Sequence, residues 1–244
     1  MHLQVKALVK TYGTFPALKG VSFEIDHGTV VGLIGPNGAG KTTLLKCILK
    51  LLRYEQGEIL YDGQPLMSRK EIAREISYIP DQPVYYEELT LEENLNLYAM
   101  LSGLSRQEFL EKKQMLIEDL ALAEHLGQLP DRLSKGNKQK MMIAMAFLKN
   151  FRLVLADEPF SGLDPVMIRS LKDLFGRVKK EKKTVLISTH LLDLAQTICD
   201  SYIFLDHGRI LATGTQEDVL RIAGSSVEDK FCLEEAYMRL LQRK

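Results

Sequence analysis

The run Gly35, Pro36, Asn37, Gly38, Ala39, Gly40, Lys41, Thr42 constrains this chain more than any other stretch. It fits G-x-x-x-x-G-K-[ST], with Thr43 following. Glycines at 35, 38 and 40 let the backbone wrap closely, so that consecutive N–H groups converge on phosphate oxygens. A helix beginning at Lys41 adds the positive end of its dipole. Lys41 brings a compact cation to the terminal phosphates, and the Thr42 hydroxyl can ligate Mg²⁺. A glycine-rich turn with no ligand is the plainer reading. The loop, however, follows an apolar run that reads as a buried strand and opens a helix, which is the context phosphate binding requires.

That apolar run, residues 29–34, suits a strand covered on both faces. Residues 42–52 read as a helix, with Leu44, Leu45, Ile48, Leu49 and Leu52 on one face. Upstream, Val5, Ala7 and Val9 alternate with polar neighbours, as do Val21, Phe23 and Ile25, and this predicts half-buried sheet. Residues 57–63 and 76–79 predict two further strands. From 90 to 150 the period changes. Thr90-Leu-Glu-Glu93 is a capping box, and helical spacing continues through Leu95, Tyr98 and Leu101, then Phe109, Leu116 and Leu120. After 150 come short apolar strands at 153–156, 184–188 and 202–205, with an amphipathic helix at 165–180 between the first two. Such alternation predicts a parallel sheet covered by helices. Leu233, Tyr237, Leu240 and Leu241 share one face of a last helix.

The 244 residues are 45% hydrophobic and 26% charged, enough to bury a core without disulfide or metal staples. Lysine plus arginine equals aspartate plus glutamate, 32 each, so the formal net charge is zero. A general nucleic-acid binder normally carries a basic excess, and no nucleic-acid partner is expected. Neutrality also removes the colloidal protection that charge gives a free monomer. The longest stretch without Asp, Glu, Lys or Arg, residues 27–40, is 14 long and broken by glycines and a proline. A spanning helix needs about 20 apolar residues. No cationic segment leads into an apolar core after Met1, so neither a span nor a secretory leader is expected. Cys47, Cys199 and Cys232 are widely spaced and predict reduced, buried thiols in a cytosolic chain.

Leu153-Val-Leu-Ala-Asp157-Glu158 is an apolar strand ending in two carboxylates. Carboxyl ends of parallel strands face the ligand crevice. Asp157 there can hold Mg²⁺ through water, and Glu158 could polarise an attacking water. An ordinary acidic turn before Pro159 is the alternative for the pair taken alone. His190 ends the strand Thr184-Val-Leu-Ile-Ser-Thr and could contact a terminal phosphate, or be a satisfied histidine at the core edge. The other histidines, His2, His27, His125 and His207, sit in no comparable context.

Together these motifs resemble an ATP-binding cassette ATPase, the nucleotide-binding subunit of an ABC transporter, over nearly the whole chain. Leu133-Ser134-Lys135-Gly136-Asn137 resembles the family signature before a helix, Ser161-Gly-Leu-Asp164 the loop after the acidic pair, and His190 the switch histidine. Tyr12 matches the aromatic that stacks on adenine. The resemblance implies an α/β fold: a P-loop NTPase core with a parallel sheet, an N-terminal antiparallel β subdomain and an inserted α-helical subdomain. Residues 1–244 would form one ABC ATPase domain. Within it, about 1–85 and 151–225 would be the core, about 86–150 the helical part and about 226–244 a C-terminal helix. It implies ATP and Mg²⁺ as cofactors. A second ABC ATPase subunit would pair head to tail, so that Ser134, Gly136 and Asn137 meet the partner's nucleotide at a helix N-terminus. Transmembrane permease subunits would receive the motion, which places the chain in the cytoplasm, peripheral on the inner face of the cell membrane. Phosphoryl transfer to water depends on positioning and charge neutralisation, and these parts supply both.

Two departures stand out. The family usually has glutamine directly after the strand ending in Ile-Pro, where it touches Mg²⁺. This chain reads Tyr78-Ile-Pro80-Asp81-Gln82, which makes Asp81 the expected metal contact and Gln82 the alternative. In the signature, Lys135 replaces a glycine and Asn137 a glutamine, while Ser134 and Gly136 remain. The Asp81 variant and the lack of a large regulatory domain resemble exporter-type cassettes. Met141, Met142 and Met145 are expected in the core, and residues 179–183 as a solvated helix end suited to the dipole. Tyr85 and Tyr86 adjoin the family's groove for the membrane subunit. A translation-associated cassette protein is the competing function, yet such proteins usually carry two cassettes and this chain has one phosphate loop. Ser134 follows Lys41 by 93 positions with no sustained heptads, unlike a chromosome or repair ATPase.

Overall fold

A computed structural model describes residues 1–65, 68–224 and 233–242. Cys232, with residues 226–232 and 243–244 of the expected C-terminal helix, lies outside the described residues. The strands are β1 (Leu3–Tyr12), β2 (Phe15–Ile25), β3 (Val30–Ile34), β4 (Gln56–Tyr61), β5 (Ile76–Ile79), β6 (Leu153–Asp157), β7 (Thr184–Thr189), β8 (Ser201–Asp206) and β9 (Arg209–Gly214). The helices are α1 (Lys41–Ile48), α2 (Arg69–Glu75), α3 (Leu91–Leu101), α4 (Arg106–Asp119), α5 (Lys135–Leu148), α6 (Pro165–Lys180), α7 (Leu192–Gln196), α8 (Gln216–Ile222) and α9 (Leu233–Gln242).

They build two sheets. An antiparallel sheet runs β2-β1-β4, and a six-stranded sheet runs β5-β6-β7-β3-β8-β9. In the second, β5, β6, β7, β3 and β8 are parallel and only β9 is antiparallel, on β8. Every residue of β3, β6 and β7 is buried. Strands covered on both faces cannot alternate, which is why they read as continuous apolar runs. One core, made by α3–α6, covers one face of this sheet, with Leu95, Met141, Met142, Phe147 and Phe175 against Val154 and Ile187. A second fills the space under the antiparallel sheet and α1, with Leu3, Phe23, Leu44 and Ile48 against Leu33 and Leu155. Met141 and Met142 are thus core residues, and Met145 packs half-buried beside them. At the far side, Tyr237 of α9 stacks on Phe204 of β8, ring centroids 5.2 Å apart.

The alternation expected at Val5, Ala7 and Val9 holds only to Val5. Ala7 adopts φ 47° at a register shift in β1, and Leu8, not Ala7, turns into the core. One inserted residue moves every later side chain to the other face. Gly57 makes the bulge possible, since a Cβ there would lie 2.6 Å from the Ala7 carbonyl oxygen. The helix expected over 42–52 stops at Ile48, because Lys50 turns left-handed at φ 51°. Leu52 still packs against the second core.

Cys47 and Cys199 are free, and burial pushes their thiols up to about 11 and about 12. Both are therefore inert at neutral pH. Among the described residues no helix is long and apolar enough to cross a membrane. The order β6-β7-β3 sets three adjacent carboxyl ends side by side. They carry Asp157 and Glu158, His190, and the glycine-rich loop.

Candidate nucleotide site

The loop leaves β3 at Gly35, where an added Cβ would lie 2.2 Å from the Leu205 carbonyl oxygen. Only glycine fits that close approach. The loop then opens α1 without a side-chain cap. Helices α2 to α6 and α8 are capped by Ser68, Thr90, Ser105, Ser134, Asp164 and Thr215, whereas α1 starts from Gly40. Its first N–H groups therefore remain available to an anion.

Lys41 is only 6% exposed, and its ammonium donates to the carbonyls of Gly35 at 2.6 Å and Pro36 at 3.3 Å. Glu158 Oε1 stands 3.3 Å from the same nitrogen. Glu158 Oε2 in turn meets His190 Nδ1 at 3.0 Å. Residues 41, 158 and 190 come from three separate segments and meet in one line of contacts. Glu158 holds φ 46°, a left-handed backbone that a side chain disfavours. It is fixed there because its N–H donates to both the carbonyl and the hydroxyl of Ser188, each at 3.1 Å. The Ser188 hydroxyl donates to Asp157 Oδ1. Asp157 is 1% exposed, and its other oxygen, Oδ2, is buried without a hydrogen-bond partner. The Tyr78 phenol lies near enough to feel it. Burial first, then the charges of Asp157 and Asp81, push the Tyr78 hydroxyl above its ordinary range.

A cavity of about 290 Å³ opens over the loop, lined by Asn37, Gly38, Lys41, Thr42 and Thr43 with Asp81 and Glu158. Tyr12 and Phe15, paired across the end of the β1–β2 hairpin, form its outer wall and are 47% and 62% exposed. The ammonium of Lys10 sits 5.3 Å over the Tyr12 ring and 3.0 Å from Glu55. That hydrogen bond, joined by the Thr11 N–H, holds the Glu55 carboxyl below the usual range.

Phe15 and Ser188 escaped the sequence reading. An aromatic three positions after Tyr12 carries no signal until the hairpin pairs them. Ser188 matters only because strand register sets it opposite Asp157.

Ser134, Gly136 and Asn137 do not line the cavity of their own chain. They form the start of α5, where the Ser134 hydroxyl accepts the Asn137 N–H at 3.1 Å. A Cβ on Gly136 would lie 3.5 Å from the Gly162 carbonyl oxygen, so this turn touches loop 161–164. Beside the cavity runs a groove of about 1070 Å³ lined by Tyr78, Val84, Tyr85, Tyr86 and Tyr98, with Lys46 and Arg69 at its edge. Asp81 borders both spaces, Gln82 only the groove.

Among the described residues no group of three or more His, Cys, Asp or Glu could hold a metal alone. Mg²⁺ rarely uses such a cage, taking one or two protein oxygens together with phosphates and water.

A glycine-rich loop at a helix N-terminus, an acidic pair on the next strand but one and a histidine between them define a P-loop nucleotide hydrolase. The family model described as ABC transporter matches residues 18–161. The chain is 42% identical to the ABC-type transporter ATP-binding protein EcsA of Bacillus subtilis (strain 168), covering 89% of this chain and 88% of that one. A solved ATP-binding subunit of an ABC transporter superposes with TM-score 0.92 at 40% identity, covering 99% and 100% of the two chains. A dimeric post-hydrolysis ATP-binding cassette with ADP and Pi bound superposes with TM-score 0.77 at 26% identity, covering 87% and 98%. This chain belongs to the ABC transporter family, and it is an ATP-binding, ATP-hydrolysing subunit of that class.

Proposed function

We propose that ATP occupies the cavity over residues 35–43, with its adenine against Tyr12 and its phosphates on the loop amides and the Lys41 ammonium. The observation that carries this reading is that Lys41 and Glu158 meet in the cavity lining and His190 bonds the far oxygen of Glu158. Lys41 neutralises the terminal phosphates. Glu158 takes the proton of the water that attacks the γ-phosphorus while the bond to ADP breaks, and His190 orients Glu158 and contacts the departing phosphate. Preorganised groups in a water-poor site are worth more than the same groups in solvent.

Mg²⁺ fits the residues present. The buried Asp157 Oδ2 lacks a partner, and Asp157 lines the same groove as Thr42 and Asp81. Thr42 and Asp157 would hold the ion, with Asp81 as a third contact, and it would supply charge neutralisation to the phosphates. Ser134, Gly136 and Asn137 serve the nucleotide of a second ABC subunit, homologous or identical, in a head-to-tail dimer. Transmembrane permease subunits dock on the groove beside Tyr85 and Tyr86 and are driven by ATP-dependent closing and opening, on the cytoplasmic face of the cell membrane.

Glu158→Gln tests the centre of this reading. The variant should bind ATP with unchanged affinity, hydrolyse it at least about a hundredfold more slowly, and accumulate as a nucleotide-bound dimer on size exclusion. Normal turnover would remove Glu158 as the base.

A further inference from the structure

His125, which no sequence motif singles out, makes the side-chain contact that holds the signature segment. Its Nε2 lies 2.9 Å from Asn137 Nδ2, and its Nδ1 lies 3.3 Å from Gln128 Oε1. The direction of these bonds follows from Gln128. Its Nε2 donates to the Glu124 carbonyl at 3.4 Å, which leaves Oε1 as the acceptor facing His125. Nδ1 therefore carries the hydrogen and Nε2 the lone pair, and the Asn137 amide donates to it. Asn137 is then held twice, by its backbone N–H on Ser134 Oγ and by its side chain on His125. The short turn bearing His125 is itself anchored elsewhere. The Leu91 N–H donates to the Gln128 carbonyl and the Glu92 N–H to the Leu126 carbonyl, both at 2.9 Å. The start of α3 and the start of α5 are thus joined through residues 125–128. The asparagine that stands in place of the usual glutamine at position 137 is the residue whose side chain meets His125.

We infer that His125 is a positioning residue for ATP hydrolysis, setting the orientation of Ser134, Gly136 and Asn137 toward the partner's nucleotide through its bond to Asn137. The inference rests on the proposed role of those three residues as a phosphate contact across a dimer. His125 does not line the cavity of its own chain, so its effect falls on dimer closure and turnover and spares binding of nucleotide by the single subunit.

The test uses the full chain. Nucleotide affinity of the isolated subunit is read with a fluorescent ATP analogue, ATP-driven dimerisation is read in the Glu158→Gln background, and kcat and KM are read in the Glu158 protein. His125→Ala should leave the isolated subunit's affinity within about twofold, raise the ATP needed for half-dimerisation about tenfold and lower kcat about tenfold. Asn137→Ala should lose at least as much, since it removes both that bond and a residue that meets the nucleotide, and adding His125→Ala to it should cost nothing further. His125→Gln, whose Oε1 can accept the Asn137 amide where Nε2 did, should recover most of the loss. Wild-type dimerisation and turnover in His125→Ala would overturn the inference. So would penalties that multiply to about a hundredfold in the double variant, or a loss of single-subunit nucleotide affinity that His125→Gln shares. If Asn137→Ala and Ser134→Ala are silent as well, the phosphate-contact reading falls with it. If Asn137→Ala is impaired while His125→Ala is normal, only the role of His125 falls.

Discussion

Around the phosphate loop the holding groups are main-chain atoms and side chains sealed from solvent. Around residues 134–137 they are side-chain hydrogen bonds on a half-exposed helix end. Lys41, at the start of α1, is tied to two carbonyls, and Glu158, just past the end of β6, to a carbonyl and a hydroxyl. Asn137 hangs on one serine and one histidine. Charged groups kept from water interact strongly and need no reorganisation at the moment of reaction. A helix end held by few, partly solvated bonds opens at lower cost. The difference suits a division of labour in which one side keeps its geometry through the cycle and the other approaches and withdraws.

Glycine substitutions attack this contrast most directly. Gly35→Ala should cost about 3 kcal/mol and abolish ATP binding, because its methyl would meet the Leu205 carbonyl at 2.2 Å. Gly136→Ala should change stability by no more than about 0.5 kcal/mol, its nearest neighbour being an ordinary contact at 3.5 Å, while weakening ATP-driven dimerisation. Denaturant midpoints and nucleotide titrations of the pair check both, and equal stabilities would erase the contrast. Asp81→Ala comes next and should raise the Mg²⁺ needed for half-maximal rate about tenfold. An unchanged Mg²⁺ dependence and rate would transfer the role away from Asp81. Tyr12→Ala has the smallest expected effect, raising the ATP needed for half-maximal rate about fivefold through lost stacking with the maximal rate intact. An unchanged ATP requirement would leave Tyr12 as hairpin surface.

What could be read from the sequence divides along the same line. The bounds of α6 and the strands at 153, 184 and 202 were legible because burial on both faces writes a continuous apolar run and amphipathic packing writes a 3.6-residue period. The loop at 35–42 was legible because its glycines and lysine have local reasons. The bulge at Ala7 was not, since it depends on Gly57 approaching from a strand 50 residues away. Nor were Phe15, Ser188 and His125, whose neighbours are set by hairpin pairing, strand register and a turn packed on another helix. Local rules reach the elements and the motif, and tertiary contact selects the side chains that complete it.

The left-handed backbone of Glu158 has a consequence for anyone altering this chain. A non-glycine residue held at φ 46° costs on the order of 1 kcal/mol. Glycine would relieve that strain, and asparagine would ease it. Selection for heat resistance alone will therefore favour replacing the one carboxylate that lies between Lys41 and His190. A thermostable derivative of this chain should be sequenced at position 158 before its silence is blamed on anything else.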